Sequence, residues 1–313
     1  RRAAGWIHFA FAAAAGACLV WAGVAAAAGG GMSEAAAVRI GPLSVPVLVD
    51  GLAGIFLVVI GLVSALAALY AVRYLDHMPG SGAGGFYAAF PLFVLGMAVL
   101  VAADDLSLGF SLGWQVMTAA SYVLIRYDRG ERSSLHAANR YLVLMELAWL
   151  AVVAAGFAAG GAVGDSLHAI SAKSGALSAG AWAAVLGLLL LGFGLKAGVF
   201  PLGQLWLPDA HSVAPSPVSA LLSGVMLKTG VFGLIRTFFF LAPASAAGFD
   251  GRAWGTVLAA IGAVTLFIGT IQSVKQHDAK RLLAYSSIGQ IGYIVLGLGA
   301  ALLLSDAEGA IRA

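Results

Sequence analysis

Long apolar runs recur along the whole chain and are separated by short stretches rich in proline, glycine and charged residues. A helix that crosses a membrane needs about 20 mainly apolar residues, and the runs have this length. Strands of a membrane barrel would instead alternate apolar and polar residues over about 10 positions. The pattern therefore predicts an all-α integral membrane bundle with about nine spanning helices, at residues 5–28, 47–72, 86–103, 105–126, 136–160, 181–207, 217–241, 253–274 and 282–304.

The segments between these runs are short, and none is long enough to form a domain outside the membrane. We therefore expect residues 1–313 to form a single membrane domain. The first run follows Arg1 and Arg2 and could pass for a signal peptide. Because many apolar runs follow it, we interpret it as a first membrane span rather than a cleaved leader.

The composition agrees with a membrane protein. Apolar residues make up 61% of the 313 positions, charged residues only 10%, and the mean hydropathy is +0.96. A soluble domain usually has about 25% charged residues, so this chain could not cover a surface exposed to water. The 42 glycines suit close packing of helices in lipid. The single cysteine, Cys18, excludes a disulfide or a cysteine-held cluster within the chain.

Lysine and arginine are distributed unequally between the two predicted sides of the membrane. With nine spans, ten of these residues lie on the side of the N-terminus, five lie on the opposite side and two lie within the spans. Loops with more lysine and arginine usually face the cytoplasm, so we expect the N-terminal side to be cytoplasmic. We interpret the sequence pI of about 9.1 as basic loops at a membrane face and not as a sign of nucleic-acid binding.

Two lysines lie within predicted spans. Lys196 precedes the stretch FPLGQLWLPDAHSVAPSP, whose prolines interrupt the sixth span. Lys228 lies roughly 16 Å along the next helix from Pro217, close to the middle of the membrane. A lysine at the centre of a membrane helix costs roughly 2.5–3.5 kcal/mol, and broken helices persist in lipid where they line a cavity. Two such lysines beside a break favour a role in ion transfer over snorkelling or a static ion pair.

Glu146 is the third charge inside a predicted span, and the sequence places it somewhat away from the centre of that span. Its carboxylate could pair with Lys196 and lower the cost of burying both charges. It could equally be a satisfied polar contact near the membrane edge. No nucleotide-binding loop, haem ligand pair or zinc ligand spacing occurs in the sequence, so we expect no cofactor and no metal in this chain.

Two stretches carry a family resemblance, GLKAGVFPLGQLWLPDAHSVAPSPVSALLSGVMLKTGVFGLIR and, further on, QHDAKRLLAYSSIGQIGY. They resemble the antiporter-like membrane subunits of respiratory complex I. The same family includes the large subunits of Mrp-type cation/proton antiporters and the membrane arms of energy-converting hydrogenases and formate hydrogenlyase. The residues in these stretches most resemble those of the hydrogenase and formate-hydrogenlyase branch. The resemblance extends from about residue 49 to the end of the chain.

The resemblance implies that the chain moves protons, or sodium ions, along a polar axis at mid-membrane. It implies a proton relay through Lys196 and Lys228, with Lys196 paired to a glutamate of an earlier helix. It further implies a prokaryotic cytoplasmic membrane and, as partners, other membrane subunits and redox subunits of a larger complex. The broken helix, with the place where protons enter, would comprise Trp206, Pro208, Asp209, His211, Pro215 and Pro217.

The sequence departs from the family at three points. Gln115 occupies the position of the usual glutamate, and we hypothesise that Glu146, one helix later, takes over its role. Gly203 and Gln204 stand where a histidine is expected. The family has more core helices than this chain, so we expect a truncated or split subunit.

These observations favour a non-catalytic transport subunit of a redox-driven complex, with Lys196, Lys228 and Glu146 as the relay. Two alternatives stay open. The chain could be a structural membrane scaffold with a degenerate proton path, for which Gln115 is the best support, or a cation/proton antiporter subunit of the Mrp type. An enzyme in its own right is the least favoured class, because no site for an electron carrier emerges from the sequence.

Overall fold

The computed structural model describes residues 2–32, 36–40, 43–78, 83–128, 130–243 and 248–312. Eight helical segments in this part of the chain are long and apolar enough to cross a membrane. The helix Gly109–Ile125 adds a ninth, slightly shorter segment of 17 residues. The prediction of an all-α membrane protein with about nine spans is therefore confirmed.

The described chain contains the helices α1 (Arg2–Ala25), α2 (Gly51–Tyr74), α3 (Ala83–Ala102), α4 (Gly109–Ile125), α5 (Arg132–Ala158), α6 (Leu167–Lys173), α7 (Ala179–Ala197), α8 (Leu207–Val213), α9 (Ser216–Leu221), α10 (Leu227–Ile235), α11 (Gly251–Val274) and α12 (Ala279–Arg312). Wider π-helical segments follow α9 and α10, at Leu222–Met226 and Arg236–Leu241, and a kinked segment with non-helical backbone at Gly29 follows α1 at Ala26–Gly30. α9 and α10 therefore belong to one continuous span, Ser216–Leu241. Most predicted ends lie within about one helical turn of the observed ones. The sixth and ninth predicted spans differ more, because α7 already ends at Ala197 and α12 continues to Arg312.

A short β-hairpin lies between α1 and α2, and the apolar pattern does not predict it. Strands β1 (Ala36–Ile40) and β2 (Leu43–Val47) pair antiparallel. The chain after β2 continues alongside the end of α3, where the amide of Leu48 donates to the carbonyl of Ala102 at 2.8 Å. Strands of five residues are too short to show alternation beside a long apolar helix, so the pattern merges Val47 into the helix that follows.

The described chain divides into two compact units. The first comprises Arg1–Val143, Val163–Ser166 and Val213–Thr229. The second comprises Leu144–Ala162, Leu167–Ser212 and Gly230–Ala313. Helix α5 and the span Ser216–Leu241 therefore each contribute residues to both units.

In the first unit, α1 packs against α2 and α3 packs against α4. The α1–α2 contact is close because two glycines face each other: a Cβ atom on Gly16 would lie 2.7 Å from the carbonyl oxygen of Gly61. Gly96 lies against the backbone of Met117 in the α3–α4 contact in the same way. Small residues at such crossings let helices approach in lipid, where the hydrophobic effect does not hold them together.

In the second unit, α11 and α12 form a closely packed helical hairpin. A Cβ atom on Gly262 would clash with the backbone nitrogen of Leu296, and one on Gly292 would clash with that of Leu266. The Asp250 carboxylate caps α11 by accepting a hydrogen bond from the amide of Ala253 at 2.8 Å. The hairpin is therefore a tightly fitted element against which other parts of the unit can be fixed.

Candidate functional site

Helix α7 stops inside an apolar stretch, directly after Lys196 and Ala197. Gly198 follows with a φ of 87°, a left-handed conformation that glycine adopts without strain. The amides of Gly198 and Val199 both donate to the carbonyl of Gly194, at 3.0 and 2.9 Å. A short 3-10 turn and then α8 continue the chain, so the predicted interruption of the sixth span is present.

Two backbone groups at this break have hydrogen-bond partners from other parts of the unit. The indole N–H of the fully buried Trp206 donates to the carbonyl of Leu195 at 3.1 Å. The amide of Phe200 donates to the hydroxyl of Thr265 on α11, also at 3.1 Å. Non-helical backbone persists in lipid only where the protein satisfies it, so these two bonds explain how the break is held. The sequence motif includes Trp206, but no sequence signal points to Thr265.

Lys196 lies in the last turn of α7 and is 0% exposed. The Glu146 carboxylate on α5 lies close enough to this ammonium for the two charges to interact. Glu146 is about 21 Å from the first residue of α5 and about 18 Å from its last, so it lies close to the middle of the helix. The predicted span 136–160 has its centre at position 148, two residues from Glu146, and α5 has its centre one residue from it. An opposite charge at this position lowers the cost of burying Lys196.

Helices α5 and α7 approach each other closely within about one turn of this pair. A Cβ atom on Gly192 would lie 2.7 Å from the carbonyl oxygen of Ala148 and 2.6 Å from a side-chain carbon of Val152. Gly192 precedes Lys196 by one helical turn, and Ala148 lies two residues after Glu146. The missing side chain at Gly192 therefore lets the helices that carry the two charges come together.

Lys228 lies in the first unit and is partly buried. Its ammonium donates a hydrogen bond to the carbonyl of Ser223, which precedes it in the same span. Ser223 lies in the π-helical segment Leu222–Met226, and such segments are frequent at functional sites. Lys228 is roughly 18 Å from Ser216 and roughly 20 Å from Leu241, which is near the middle of the span.

Gln115 lies on α4, partly buried, next to the fully buried Trp114. It belongs to the first unit, as Lys228 does, whereas Lys196 and Glu146 belong to the second. Glu146 and Lys196 thus lie in the same unit, within the range over which their charges interact. The participation of Gln115 and the transfer between the two lysines stay predictions.

The motif residues after the break lie on α8. The Asp209 carboxylate forms an ion pair with the guanidinium of Arg281 on α12, with 2.5 Å between the nearest oxygen and nitrogen. His211 is 3% exposed, and Pro208 in the first turn of α8 is also buried. The ion pair connects the two sequence stretches that carry the family resemblance. These stretches are far apart in the sequence, so the sequence alone does not predict this contact. The role of Asp209 and His211 in proton uptake stays a prediction.

Two prolines of the motif mark the start of the next helix. Pro215 directly precedes α9, and Pro217 lies in its first turn. The first amides of a helix have no acceptor within it, so proline is tolerated there. Both prolines are buried. They therefore begin the span that carries Lys228 rather than bend it.

Arg236 is a buried charge, although it is one of the five basic residues that the nine predicted spans place on the side opposite the N-terminus. The structure places it inside the span Ser216–Leu241, where it is 7% exposed. Its guanidinium lies 5.0 Å from the ring centre of Phe232 and 4.9 Å from that of Phe240. Contact with aromatic faces stabilises a guanidinium away from water. The unbroken apolar run around Arg236 is the signal that could have identified it as buried.

No metal site is evident in the part of the chain that the structure describes. Within it, no three histidine, cysteine, aspartate or glutamate side chains lie close enough together to hold a metal ion. The charges of the site are a lysine and a carboxylate, Lys196 and Glu146. A buried lysine can exchange a proton, and charged side chains inside a membrane commonly mark ion pathways.

Two protein-family models match this chain. Residues 103–307 match the family described as NADH:quinone oxidoreductase/Mrp antiporter, TM. Residues 38–83 match the family described as NADH-ubiquinone oxidoreductase (complex I), chain 5 N-terminus. The first match covers more than half of the chain and includes Glu146, Lys196 and Lys228.

Curated bacterial proteins are similar to most of this chain. An uncharacterized protein of Mycobacterium tuberculosis (strain ATCC 25618 / H37Rv) is 37% identical over 268 residues, which are 85% of this chain and 40% of that protein. Hydrogenase-4 component B of Escherichia coli (strain K12) is 32% identical over 254 residues, which are 81% of this chain and 37% of that protein. The chain therefore spans less than half the length of these two relatives.

A solved structure shares the fold. A chain of the Mrp complex from Dietzia sp. DQ12-45-1b superposes with a TM-score of 0.78 at 22% identity, and the match covers 95% of this chain and 54% of that one. At this identity the likeness concerns the fold alone. The family models cover the break and the buried charges as well. This integral membrane chain therefore belongs to the family of antiporter-like membrane subunits that NADH:quinone oxidoreductases and Mrp antiporters share.

Proposed function

We propose that this chain translocates cations as a subunit of a larger membrane complex and that the cation is a proton, with sodium as the alternative. The Lys196–Glu146 pair carries the proposal, because a fully buried ammonium lies at a helix break within interaction range of a carboxylate. Charges inside a membrane are costly and usually mark ion pathways. Membership of the antiporter-like family supports the same function.

In this proposal Lys196 alternates between an ammonium and a neutral amine. The Glu146 carboxylate stabilises the ammonium while the pair is closed, and loss of that attraction lets the proton leave. Two unit charges about 4 Å apart attract by about 4 kcal/mol at an effective dielectric constant of about 20. One elementary charge that crosses about 100 mV is worth about 2.3 kcal/mol. Opening or closing such a pair is therefore on the energy scale of the membrane potential.

Lys228 is the second station of the proposed relay. Its ammonium is held by a backbone carbonyl in the structure, near the middle of its own span. A carbonyl carries only a partial charge, so it attracts an ammonium less strongly than a carboxylate does. The proton can therefore exchange at Lys228 without the separation of an ion pair. Asp209 and His211, beside the break, are proposed to lie where protons enter.

Glu146 takes the place of the usual family glutamate in this proposal. Gln115 stands at the family position and can donate or accept hydrogen bonds, but it cannot ionise. A relay that responds to charge needs an acid that changes its interaction with Lys196. Glu146 supplies that acid from α5, at mid-helix and in charge-interaction range of the lysine.

The proposed partners are other membrane subunits and redox subunits, in a prokaryotic cytoplasmic membrane with the N-terminal side toward the cytoplasm. One relative is by name a component of hydrogenase-4. Any electron carrier would be held by such partner chains, because the sequence of this chain offers no site for one. The redox reaction in the partner chains would then drive the relay through contacts between the subunits.

Two other functions remain candidates. A scaffold with a degenerate proton path is favoured by the neutral Gln115 at the family position. A cation/proton antiporter subunit is favoured by the fold shared with the Mrp complex chain. The two differ in activity, because a scaffold moves no ion and an antiporter moves protons in exchange for sodium without a redox substrate.

The experiment that tests the proposal is proton uptake into proteoliposomes that contain the complete protein in the assembly with which it purifies. A potassium diffusion potential drives uptake, and a pH dye reports it. Lys196→Met removes the buried charge and is expected to slow uptake at least about tenfold. Lys275→Gln removes an exposed lysine near the end of α11 and is expected to leave uptake unchanged.

The outcomes separate the three functions. Proton translocation is supported if the wild type takes up protons both with and without sodium and if Lys196→Met abolishes this uptake. Uptake that requires a sodium gradient of opposite direction supports the antiporter. Equal uptake by the wild type and Lys196→Met contradicts the relay, and wild-type uptake no faster than in liposomes without protein favours the scaffold.

A further inference from the structure

Two buried hydroxyls contact each other in the first unit. Tyr141 on α5 and Ser121 on α4 are both 0% exposed, and their hydroxyl oxygens lie 2.6 Å apart. The Tyr141 hydroxyl also lies 3.5 Å from the sulfur of Met226. The Ser121 hydroxyl also lies 2.7 Å from the carbonyl oxygen of Met117. Polar groups are costly to bury among apolar helices unless they are hydrogen-bonded, and these two hydroxyls satisfy each other.

The contacts permit two arrangements of the hydroxyl hydrogens. In the first, Tyr141 donates to Ser121, and Ser121 donates to the carbonyl of Met117. In the second, Ser121 donates to Tyr141, and Tyr141 donates to the sulfur of Met226. Each hydroxyl has one hydrogen and can also accept, so both arrangements use every hydrogen. The direction of the hydrogen bond between the two hydroxyls can therefore reverse. Such a pair can pass protons, because each oxygen gains one hydrogen as it loses another.

A third hydroxyl lies one helical turn from Ser121. Thr118 on α4 is 0% exposed, and its hydroxyl oxygen has no hydrogen-bond partner among the described residues. A buried hydroxyl without a hydrogen-bond partner is destabilising. Buried water commonly offsets this cost by bonding to such groups. α4 therefore presents a polar stretch inside the first unit that favours water.

The hydroxyl pair reaches the span that carries Lys228. Met226, which Tyr141 contacts, is the last residue of the π-helical segment Leu222–Met226. Lys228 extends back along the helix to the carbonyl of Ser223 in the same segment. Met226 lies between Ser223 and Lys228 along the helix. Tyr141 therefore contacts this span at the height of the Lys228 side chain, on the side of Met226, so a transfer between Tyr141 and Lys228 needs water between them.

We propose that Ser121 and Tyr141 pass protons to and from Lys228. An incoming proton adds to the Ser121 oxygen while the hydrogen of Ser121 moves to the Tyr141 oxygen. The hydrogen of Tyr141 then moves through water to the neutral amine of Lys228, which becomes an ammonium. Both hydroxyls end neutral with one hydrogen each, and the pair turns over before the next transfer. This inference rests on the proposed function, because it requires Lys228 to exchange protons.

Conservative variants test the inference in the same proteoliposomes. Tyr141→Phe removes one hydroxyl and leaves Ser121 its carbonyl acceptor, while Ser121→Ala leaves Tyr141 its contact with Met226. Neither change leaves a hydroxyl without a partner, so we expect near wild-type melting temperatures. Proton uptake is expected to fall at least about tenfold in each variant, because the hydroxyl chain is interrupted. Ser121→Thr keeps a hydroxyl and is expected to retain most of the uptake.

A matched control is available in the adjacent residue. Tyr122 on α4 donates to the Asn139 side chain at 3.0 Å at an exposed position. Tyr122→Phe also removes one tyrosine hydroxyl, but it lies outside the proposed path, so uptake is expected to stay at the wild-type rate. A Ser121→Thr variant as slow as Ser121→Ala would show that packing matters rather than the hydroxyl, and would overturn the inference.

Lys228→Met separates this inference from the proposed function. If Lys228→Met abolishes uptake while Tyr141→Phe and Ser121→Ala keep wild-type rates, the hydroxyl pair is structural and only the inference is wrong. If Lys228→Met keeps the wild-type rate, Lys228 is not a station of the relay, and the inference fails with it. Loss of uptake in all three variants, with retention in Ser121→Thr, is the result that we expect.

Discussion

The indole N–H of Trp206 donates a hydrogen bond to the carbonyl of Leu195 across the helix break that follows Lys196. This bond ties the residues after the break to the last turn before it. Trp206→Phe keeps a buried aromatic ring but leaves the carbonyl without this donor. We expect it to lower the free energy of unfolding by about 1–3 kcal/mol, measured as a lower melting temperature in detergent.

A second buried tryptophan provides the control for this prediction. Trp182 is 1% exposed, and its indole nitrogen has no hydrogen-bond partner within the described ranges. Trp182→Phe therefore removes similar ring surface without breaking a bond. A loss of stability as large as that of Trp206→Phe would mean that ring packing, and not the bond across the break, is responsible.

The ion pair between Asp209 and Arg281 is expected to contribute little to stability. Its side chains are 32% and 45% exposed, so water screens the attraction. Exposed ion pairs are worth about 0.2–1 kcal/mol. A double-mutant cycle with Asp209→Asn and Arg281→Gln should give a coupling energy in this range, and high salt should reduce it. A coupling energy well above this range would show that the pair is a structural lock.

Gly192 is expected to be sensitive to the smallest enlargement. Gly192→Ala places a Cβ atom 2.7 Å from the backbone oxygen of Ala148, so α5 and α7 must move apart. We expect a loss of about 1–3 kcal/mol in unfolding free energy, as for other overpacked sites. Proton uptake should also fall, because the shift separates Lys196 from Glu146. Thermal melting and the proteoliposome assay measure the two effects.

Gly187, on the same helix, is the matched control. A Cβ atom there meets no atom within 4 Å. Gly187→Ala should leave proton uptake unchanged and stabilise the helix by up to about 1 kcal/mol, because alanine is the better helix former. Equal losses in the two variants would contradict the packing argument.

The main features of the fold could be predicted because they follow from single segments of sequence. A charge such as Lys196 in an apolar run, next to several prolines, identifies a broken membrane span without knowledge of its neighbours. Lys228 is recognised in the same way. The β-hairpin and the π-helical segment Leu222–Met226 could not be predicted, because short strands and one widened turn leave no periodic pattern.

Contacts between helices were harder to predict. The sequence suggests Glu146 as a partner of Lys196 but also permits a contact at the membrane edge, and the bounds of α5 place it near the middle of the helix. Thr265 and Tyr141 are ordinary residues in apolar helices, and only packing shows that one supports the break and the other contacts Ser121. Arg281 lies in a loop by sequence, yet it binds Asp209 across the second unit.

The central claim is that the charge of Glu146 controls a proton held by Lys196. Glu146→Gln keeps the shape of the side chain and removes only its charge. The most direct measurement is proton uptake by this variant into proteoliposomes under a potassium diffusion potential. Glu131→Gln, at an exposed acid just before α5, is the control and should match the wild type. We predict that Glu146→Gln slows uptake at least about tenfold while the protein stays assembled. Uptake at the wild-type rate in Glu146→Gln would contradict the account.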